Sequence, residues 1–412
     1  MNKRIFIIIA MLLAITCSYA DNGSNSPYSR YGVGLLSDQS LGINRQMGGL
    51  GYGLRSNSYI NILNPASFAQ ADTLTMLFEA GFSLQNVNFK EGDRQINAKN
   101  ASFDYVAVQF RIRKNLGMSA GFLPYSNVGY SFSNVSNKGT NEVSTNNYSG
   151  TGGIYQPYIG LGWQPAKWLS VGVMGSYIYG DIKHQVGIDF ANSTDRSKSY
   201  NVTMKTYKVD FGMQFATKLG SKNDIVLGAT YSLGHDMNAD AQIIEATADS
   251  TYTRNVDGGF KLPHTYGVGF TYTYNERLKI GADYTLQQWS TSSFFGLDKG
   301  IDRSKVSVGA EYAPGRLSSN IFKMITYRAG AYYAQPYTEL DSKKGCEEYG
   351  VSAGISLPFL NNNNRNSHGT LHLSGQFIHM EPKSAGMIAE NYFRINLGIT
   401  FNESWFMKLK VR

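Results

Sequence analysis

The 412-residue sequence has little cysteine, proline, charge or continuous hydrophobicity, and each shortage excludes a class of protein. Two cysteines cannot build a disulfide framework, and ten prolines exclude a collagen-like or proline-rich disordered chain. Charged residues make up 17% of the sequence, where roughly 25% is usual. The sequence contains no run of basic residues, so it gives no sign of a nucleic-acid partner. The longest apolar run, Ile5–Ile15, is too short for a membrane-spanning helix, which needs about 20 residues.

The N-terminus has the pattern of a secretory signal peptide. The basic pair Lys3-Arg4 precedes the apolar run, and Ser18-Tyr19-Ala20 is a small-x-small cleavage site. We therefore expect residues 1–20 to be removed and the mature chain to be exported. Cys17 raises the alternative of a lipoprotein, but the preceding Ala14-Ile15-Thr16 is a poor lipobox, because threonine replaces the small residue before the cysteine.

The strongest signal is period-two alternation of apolar with polar or small side chains, repeated along most of the chain. In the segment 265–274, five large apolar residues alternate with glycines and threonines. Such segments reach about ten residues, the length that a tilted strand needs to cross a membrane, whereas strands of soluble proteins average about 5–6. The sequence therefore predicts an all-β protein, a transmembrane antiparallel β-barrel in the outer membrane of a Gram-negative bacterium. The alternative is a secreted β-sandwich.

We expect the barrel to occupy residues 73–412 and to contain about fourteen strands. The predicted strands are 73–90, 101–113, 117–131, 152–163, 168–189, 200–218, 225–248, 252–274, 277–293, 302–313, 326–339, 345–357, 369–381 and 391–401. Short connections are expected on the periplasmic side and long polar ones outside. The tail Trp405–Val411 alternates again, and either continues the last strand or follows a turn at Asn402–Ser404 as an extra strand.

Residues 21–72 do not alternate, and we expect them to form a plug inside the barrel lumen. Apolar side chains such as Ile60, Ile62 and Phe68 need burial, which a periplasmic linker, the alternative interpretation, would not provide. Asn64 followed by proline is typical of a helix N-cap and first helical position. The residues singled out as the plug motif are Gly48, Gly49, Gly51, Asn64, Pro65 and Ala66.

This glycine-rich stretch with Asn64-Pro65-Ala66 just before the first strand resembles the FadL/TodX/OmpP1 family of outer-membrane proteins. The closing Trp405-Phe406-Met407-Lys408 is similar to the ends of Bacteroidetes barrels. The resemblance implies a fourteen-stranded barrel with an N-terminal hatch. It also implies passage of hydrophobic small molecules, such as long-chain fatty acids or aromatic hydrocarbons, and a lateral exit at a kink in the third strand. The candidate residues for that opening are Pro124, Ser126, Asn127 and Gly129. An ordinary bulge at Pro124, or an opening at Pro157, are the alternatives.

No residue pattern indicates catalysis, and we expect neither an enzyme nor a bound cofactor or metal. Gly-x-Ser-x-Gly occurs at 117–121 and 350–354, but within alternating strands rather than at a strand–turn–helix elbow. His372 and Ser374 share one strand face, which resembles part of an outer-membrane phospholipase site, yet no orienting acid is evident. The six histidines form no metal-binding motif, and no nucleotide-binding motif is present.

Alternation also places charged side chains of both signs on the inner face of the barrel. A selective ion pore would favour one sign, so we expect these residues to form a paired network that stiffens the lumen and holds the plug. They are Arg111, Arg113, Asp210, Lys279, Asp283, Lys305, Glu311 and Arg394.

The sequence thus predicts passive uptake of hydrophobic small molecules with lateral release into the membrane. Its expected partners are outer-membrane lipid and a hydrophobic ligand. The alternative is a non-transporting barrel that serves as a subunit of an outer-membrane protein secretion or assembly complex. A lumen rich in Gly, Ser and Thr, without an evident apolar pocket, favours that alternative.

Overall fold

The computed structural model describes residues 24–73, 75–136, 143–190, 193–256, 259–295, 298–315, 321–340, 343–360, 368–383 and 387–404. The predicted signal peptide and the tail Trp405–Val411 lie outside these residues. No helix among them is long and apolar enough to cross a membrane.

Fourteen antiparallel strands form a closed barrel, as the sequence predicts. Each strand pairs with its neighbours in chain order, and the first closes on the last. The barrel strands are β1 (Thr75–Glu91), β2 (Arg94–Arg113), β3 (Leu116–Ser136), β4 (Ser144–Ala166), β5 (Leu169–Phe190), β6 (Arg196–Leu219), β7 (Asn223–Ser232), β8 (Thr265–Tyr274), β9 (Leu278–Gln287), β10 (Arg303–Tyr312), β11 (Thr326–Ala334), β12 (Glu347–Leu360), β13 (His368–Glu381) and β14 (Ala389–Ser404).

Shorter elements lie in the plug, in the connections at the long-loop end and, for Ile321–Met324, in the connection after β10 at the opposite end. The helical turns are Pro27–Arg30, Gly42–Gln46, Pro65–Gln70, Trp289–Thr291 and Ile321–Met324. The short strands are Leu35–Leu36, His235–Asp236, Ala239–Ala246, Thr251–Val256, Lys261–Leu262, Ser293–Phe294, Asp298–Lys299, Glu339–Leu340 and Lys343–Lys344.

The apolar residues of the alternating pattern lie on the outer face of the barrel, as predicted. Along β8, Tyr266, Val268 and Phe270 are exposed on the outside of the barrel, as a lipid-facing row requires. Their neighbours Gly267 and Thr271 face inward and contact the plug at Tyr52 and Gly53. The described part of the plug, residues 24–72, therefore lies in the lumen and is not a periplasmic linker.

Several predicted strand boundaries were wrong. The predicted loop at 91–100 is a tight turn at Gly92-Asp93 within a long hairpin, and β3 runs to Ser136. The predicted strand 225–248 is three strands, interrupted after Ser232 and after Asp236, and the predicted strand 252–274 is also interrupted. The predicted turn at Asn402–Ser404 is part of β14, because the start of β1 offers these residues a pairing partner.

An apolar core lies at the long-loop end of the barrel. It is built from the upper parts of β3–β6 and from the connections that follow β7 and β9. Trp289 and Phe294 are completely buried there, and the Trp289 ring lies 5.0 Å from that of Tyr337. We call this core the cap; it also contains Val33 of the plug.

Candidate functional site

The Asn-Pro-Ala motif of the plug begins a helical turn that rests on the barrel wall. Asn64 Oδ1 accepts a hydrogen bond from the Ala66 backbone N–H at 3.1 Å, which caps the turn Pro65–Gln70. Its Nδ2 donates to the carbonyl oxygens of Tyr52 (2.9 Å) and Met213 (3.1 Å). One side chain therefore joins the turn, the glycine-rich loop and β6.

The wall beneath this turn is a row of glycines in register across four strands. Gly117, Gly162, Gly172 and Gly212 are successive partners on β3, β4, β5 and β6. A Cβ on Gly162 would lie 2.5 Å from the Ala69 backbone nitrogen, too close for any side chain. The glycines thus allow backbone-to-backbone approach that larger residues would prevent.

The glycine-rich loop contacts the opposite wall. Gly48 and Gly49 have φ values of 68° and 80°, which favour glycine. The Gly48 N–H donates to Ser352 Oγ at 3.0 Å. The Asp283 carboxylate accepts from the backbone N–H groups of Gly51 (2.6 Å) and Tyr52 (2.9 Å). The residues of the predicted plug motif therefore lie at, or directly beside, contacts between the plug and the barrel wall.

Three charged residues form a connected group on β9, β10 and β11. Glu311 lies 3.3 Å from Lys279 Nζ and 2.7 Å from Arg328 Nε. Arg328 Nη1 also donates to Gln46 Oε1 of the plug at 3.0 Å. Sequence reasoning singled out Lys279 and Glu311 but missed Arg328, although alternation with the outward Tyr327 places it on the same inner face.

The other predicted lumen charges have separate partners. Asp210 contacts Lys208 and Ser232, and Arg394 Nη2 donates to Gln85 Oε1 at 2.6 Å. Lys305 Nζ lies 4.4 Å from the centre of the Tyr332 ring. Two predicted residues do not join any network among the described residues: Arg111 is half-buried near the turn after β2, and Arg113 is exposed at that turn.

A second ion group, which sequence reasoning missed, connects the plug to β2. Arg45 Nη1 lies 2.6 Å from Asp104 Oδ2, and Arg45 Nε lies 3.6 Å from Asp38 Oδ2. Burial alone would raise the pKa of Asp38, but the positive charges of Lys305 and Arg45 outweigh it and hold that pKa below its ordinary value. Asp38 is therefore a carboxylate at neutral pH.

The ladder between β2 and β3 ends halfway up the barrel. Its last pair towards the long-loop end is Val106 with Phe122, and above it the described part of β2 pairs with β1 alone. The upper part of β3 pairs instead with the plug strand Leu35–Leu36. The plug thus replaces β2 as the neighbour of β3 at this height.

All four residues predicted to form a lateral opening lie on this part of β3. Pro124 O accepts from Gln39 Nε2 at 3.0 Å, and β3 bulges directly after it. Ser126 and Asn127 pair with the plug strand, and the Gly129 N–H donates to a plug serine at 3.2 Å. At the competing position, Pro157, the ladder between β4 and β5 continues in the same register on both sides.

A cavity of about 1050 Å³ reaches from the lumen to this seam. On the outer side it is lined by a chain of aromatic rings that crosses the seam, with Phe103 5.5 Å from Phe82 and 6.3 Å from Phe122. On the inner side it is lined by charged groups, among them Asp104, Arg45 and Lys305. The cavity therefore joins an apolar rim to a polar interior.

The side chains considered for catalysis have structural partners. His372 lies 2.7 Å from Ser356 Oγ and 2.8 Å from Thr400 Oγ1, and it is buried away from the main cavity. Ser374 accepts from Asn396 rather than contacting His372. Within the described ranges, no group of three histidine, cysteine, aspartate or glutamate residues could hold a metal ion.

Comparison with known proteins gives one family and one fold. A family model described as BamG matches residues 1–412, and no curated protein sequence matches. The CymD monoaromatic hydrocarbon channel has a similar structure, at 13% identity and a TM-score of 0.59 over 92% of this chain and 100% of that one. The toluene transporter TodX of P. putida is similar at 16% identity, with a TM-score of 0.58 over 89% of this chain and 98% of that one. A Pseudomonas aeruginosa FadL homologue is similar at 11% identity, with a TM-score of 0.57 over 90% and 99%. At such low identities the similarity shows the fold alone, which is that of a FadL-type barrel.

Proposed function

This chain belongs to the BamG family, and on that premise we propose that it is an outer-membrane barrel that gives hydrophobic small molecules a passive route into the membrane. The observation that carries the proposal is the cavity that extends from the lumen to the unpaired seam between β2 and β3. Three proteins with the same fold are described as a hydrocarbon channel, a toluene transporter and a FadL homologue, which supports this substrate class.

The route would leave the barrel sideways, above the pair Val106–Phe122. The free energy of an apolar molecule falls when it moves from a polar lumen into lipid, so this step needs no energy source. The aromatic rings at the seam offer such a molecule an apolar exit. The proposed opening is bordered by Pro124 and the plug strand on one side and by Phe103 and Asp104 on the other.

Uptake of a labelled long-chain fatty acid and of labelled toluene by proteoliposomes tests the proposal. Ser102 lines the cavity at the seam, with its Oγ 2.9 Å from Ser83 Oγ, so Ser102→Trp should fill the opening and reduce uptake several-fold. Ser133→Trp is the matched control, because Ser133 is exposed near the end of β3. Equal uptake with and without the protein would refute transport, whereas normal uptake by Ser102→Trp would refute only the lateral route.

A second candidate function is a non-transporting subunit of an outer-membrane secretion or assembly complex. The observation that favours it is the apolar cap, because side chains such as Trp289 and Phe294 are completely buried at the long-loop end, where a solute would have to enter. Purification in mild detergent separates the two candidates. Stoichiometric protein partners with an empty lumen would support the subunit, and a lone barrel with lipid inside would support the transporter.

A further inference from the structure

Five exposed cations lie together at the short-turn end of the barrel. They occupy three successive turns along one arc, between β2 and β3, β4 and β5, and β6 and β7. We call them the basic arc: Arg113, Lys114, Lys167, Lys218 and Lys222. Short turns mark the periplasmic end of such barrels, so the basic arc faces the periplasm.

The charge of the basic arc is almost uncompensated. Among the described residues, the ion pair that involves it joins Lys218 Nζ to Asp224 Oδ1 at 3.8 Å, and Lys218 remains 77% exposed. The next short turn along the barrel, Asn275–Arg277, carries one acid and one base. The connection after β10 adds the exposed Lys323, so the three turns of the basic arc carry most of the positive charge among the residues described at this end.

Exposed aromatic side chains fix the height of the basic arc relative to the membrane. Trp163 and Trp168 are 53% and 52% exposed, and Trp168 lies 5.5 Å from Phe215 on the outer face. Tryptophans at the ends of membrane strands lie at the level of the lipid headgroups. Lys167 directly precedes Trp168, so its ammonium group can reach the same level on its flexible stem.

We propose that the basic arc binds the headgroups of anionic phospholipids in the periplasmic leaflet. The charge is complementary, because each phosphatidylglycerol carries one negative phosphate and five cations face one acid. The tryptophans hold the cations at headgroup depth, where attraction to an anionic surface is strongest. This surface lies at the opposite end of the barrel from the cap and does not depend on the proposed transport.

The test measures which lipids the purified full-length chain retains from an equal mixture of phosphatidylglycerol and phosphatidylcholine. The variant combines Lys114→Gln, Lys167→Gln, Lys218→Gln and Lys222→Gln. The matched control removes the same charge at the other end with Lys90→Gln, Lys99→Gln, Lys183→Gln and Lys205→Gln, all exposed. We expect wild type and control to enrich phosphatidylglycerol about tenfold at low salt, and the variant to retain the two lipids equally.

Salt provides a second measurement that does not depend on a variant. Enrichment by the wild-type protein should fall as the ionic strength rises towards 1 M, because the Debye length shrinks to about 3 Å. Equal retention of both lipids by wild type would refute the proposal and leave an acidic protein as the partner of the basic arc. Equal loss in variant and control would also refute it, because net charge rather than this surface would then select the lipid. Fatty-acid uptake should be unchanged in the variant, so failure here and failure of transport are distinguishable.

Discussion

Pro65 of the plug lies against Gly172 of β5 with no space for a side chain between them. A Cβ on Gly172 would lie 2.5 Å from the Ala66 backbone nitrogen and closer still to the Pro65 carbonyl group. Gly172 pairs with Gly162 on one side and Gly212 on the other, so the contact continues across neighbouring strands. At this part of the wall the plug is therefore in direct backbone contact with the barrel.

Replacing this glycine should loosen the plug. Gly172→Ala adds a methyl group where no space exists, and overpacking of this kind costs about 1–3 kcal/mol. We expect a lower Tm of the detergent-solubilised barrel. Gly175→Ala on the same strand is the control, because a Cβ there meets nothing within 4 Å. An equal Tm for both variants would contradict the tight contact.

Asp283 is expected to hold the glycine-rich loop in place. Asp283→Ala removes the oxygen that accepts two backbone hydrogen bonds, from Gly51 and Tyr52, and a buried donor left without a partner costs about 1–3 kcal/mol. The plug should then open more often, and trypsin should cleave faster after Arg55, which is half-buried. Asp224→Ala in an exposed ion pair is the control. Unchanged cleavage would show that Asp283 does not anchor the loop.

The barrel was predictable because its signal is local. Within one strand, Phe270 outside and Thr271 inside already define the two faces, and no distant residue is needed to read them. The upper strand ends were not predictable in this way. Around Asn97 and Lys99, β2 is exposed to solvent beyond the lipid, so its outer face is no longer apolar and resembles a loop in sequence.

The seating of the plug could be predicted only in part. Alternation placed Asp283 and Glu311 in the lumen, but it says nothing about which plug atoms meet them. The pair Arg45–Asp104 joins a non-alternating segment to a strand, so no periodic pattern relates the two residues. The pairing of Leu35–Leu36 with β3 was missed for the same reason, since two residues are too few to show a period.

A double-mutant cycle should reveal strong coupling between Arg45 and Asp104. Arg45→Met removes the cation that Asp104 and Asp38 share, and Asp104→Asn leaves Arg45 with the more distant Asp38 alone. Breaking a buried pair in this way should cost up to about 3–5 kcal/mol. The double variant should lose less than the sum, with a coupling energy of about 1–3 kcal/mol. The exposed pair of Lys198 and Glu245 is the control and should show little coupling. Additive effects at Arg45 and Asp104 would mean that the 2.6 Å contact does not stabilise the plug.

The stability of the plug should depend on pH through Asp38. Because Lys305 and Arg45 hold the pKa of Asp38 below its ordinary value, the folded protein favours the carboxylate more than the unfolded chain does. Its contribution is therefore complete above the unfolded pKa of about 3.9 and disappears as the pH falls through the lower folded value. Protonated aspartic acid resembles asparagine in charge and shape.

The Tm difference between wild type and Asp38→Asn should accordingly be large at pH 7 and shrink as the pH falls below about 4. Lys305→Met should reduce the difference at pH 7, because it removes the cation with the largest effect on Asp38. Asp72→Asn, at an exposed plug residue, should change Tm little at any pH. A difference at Asp38 that stays constant from pH 7 to pH 3 would mean that the amide disturbs packing rather than charge, and the electrostatic account of this contact would be wrong.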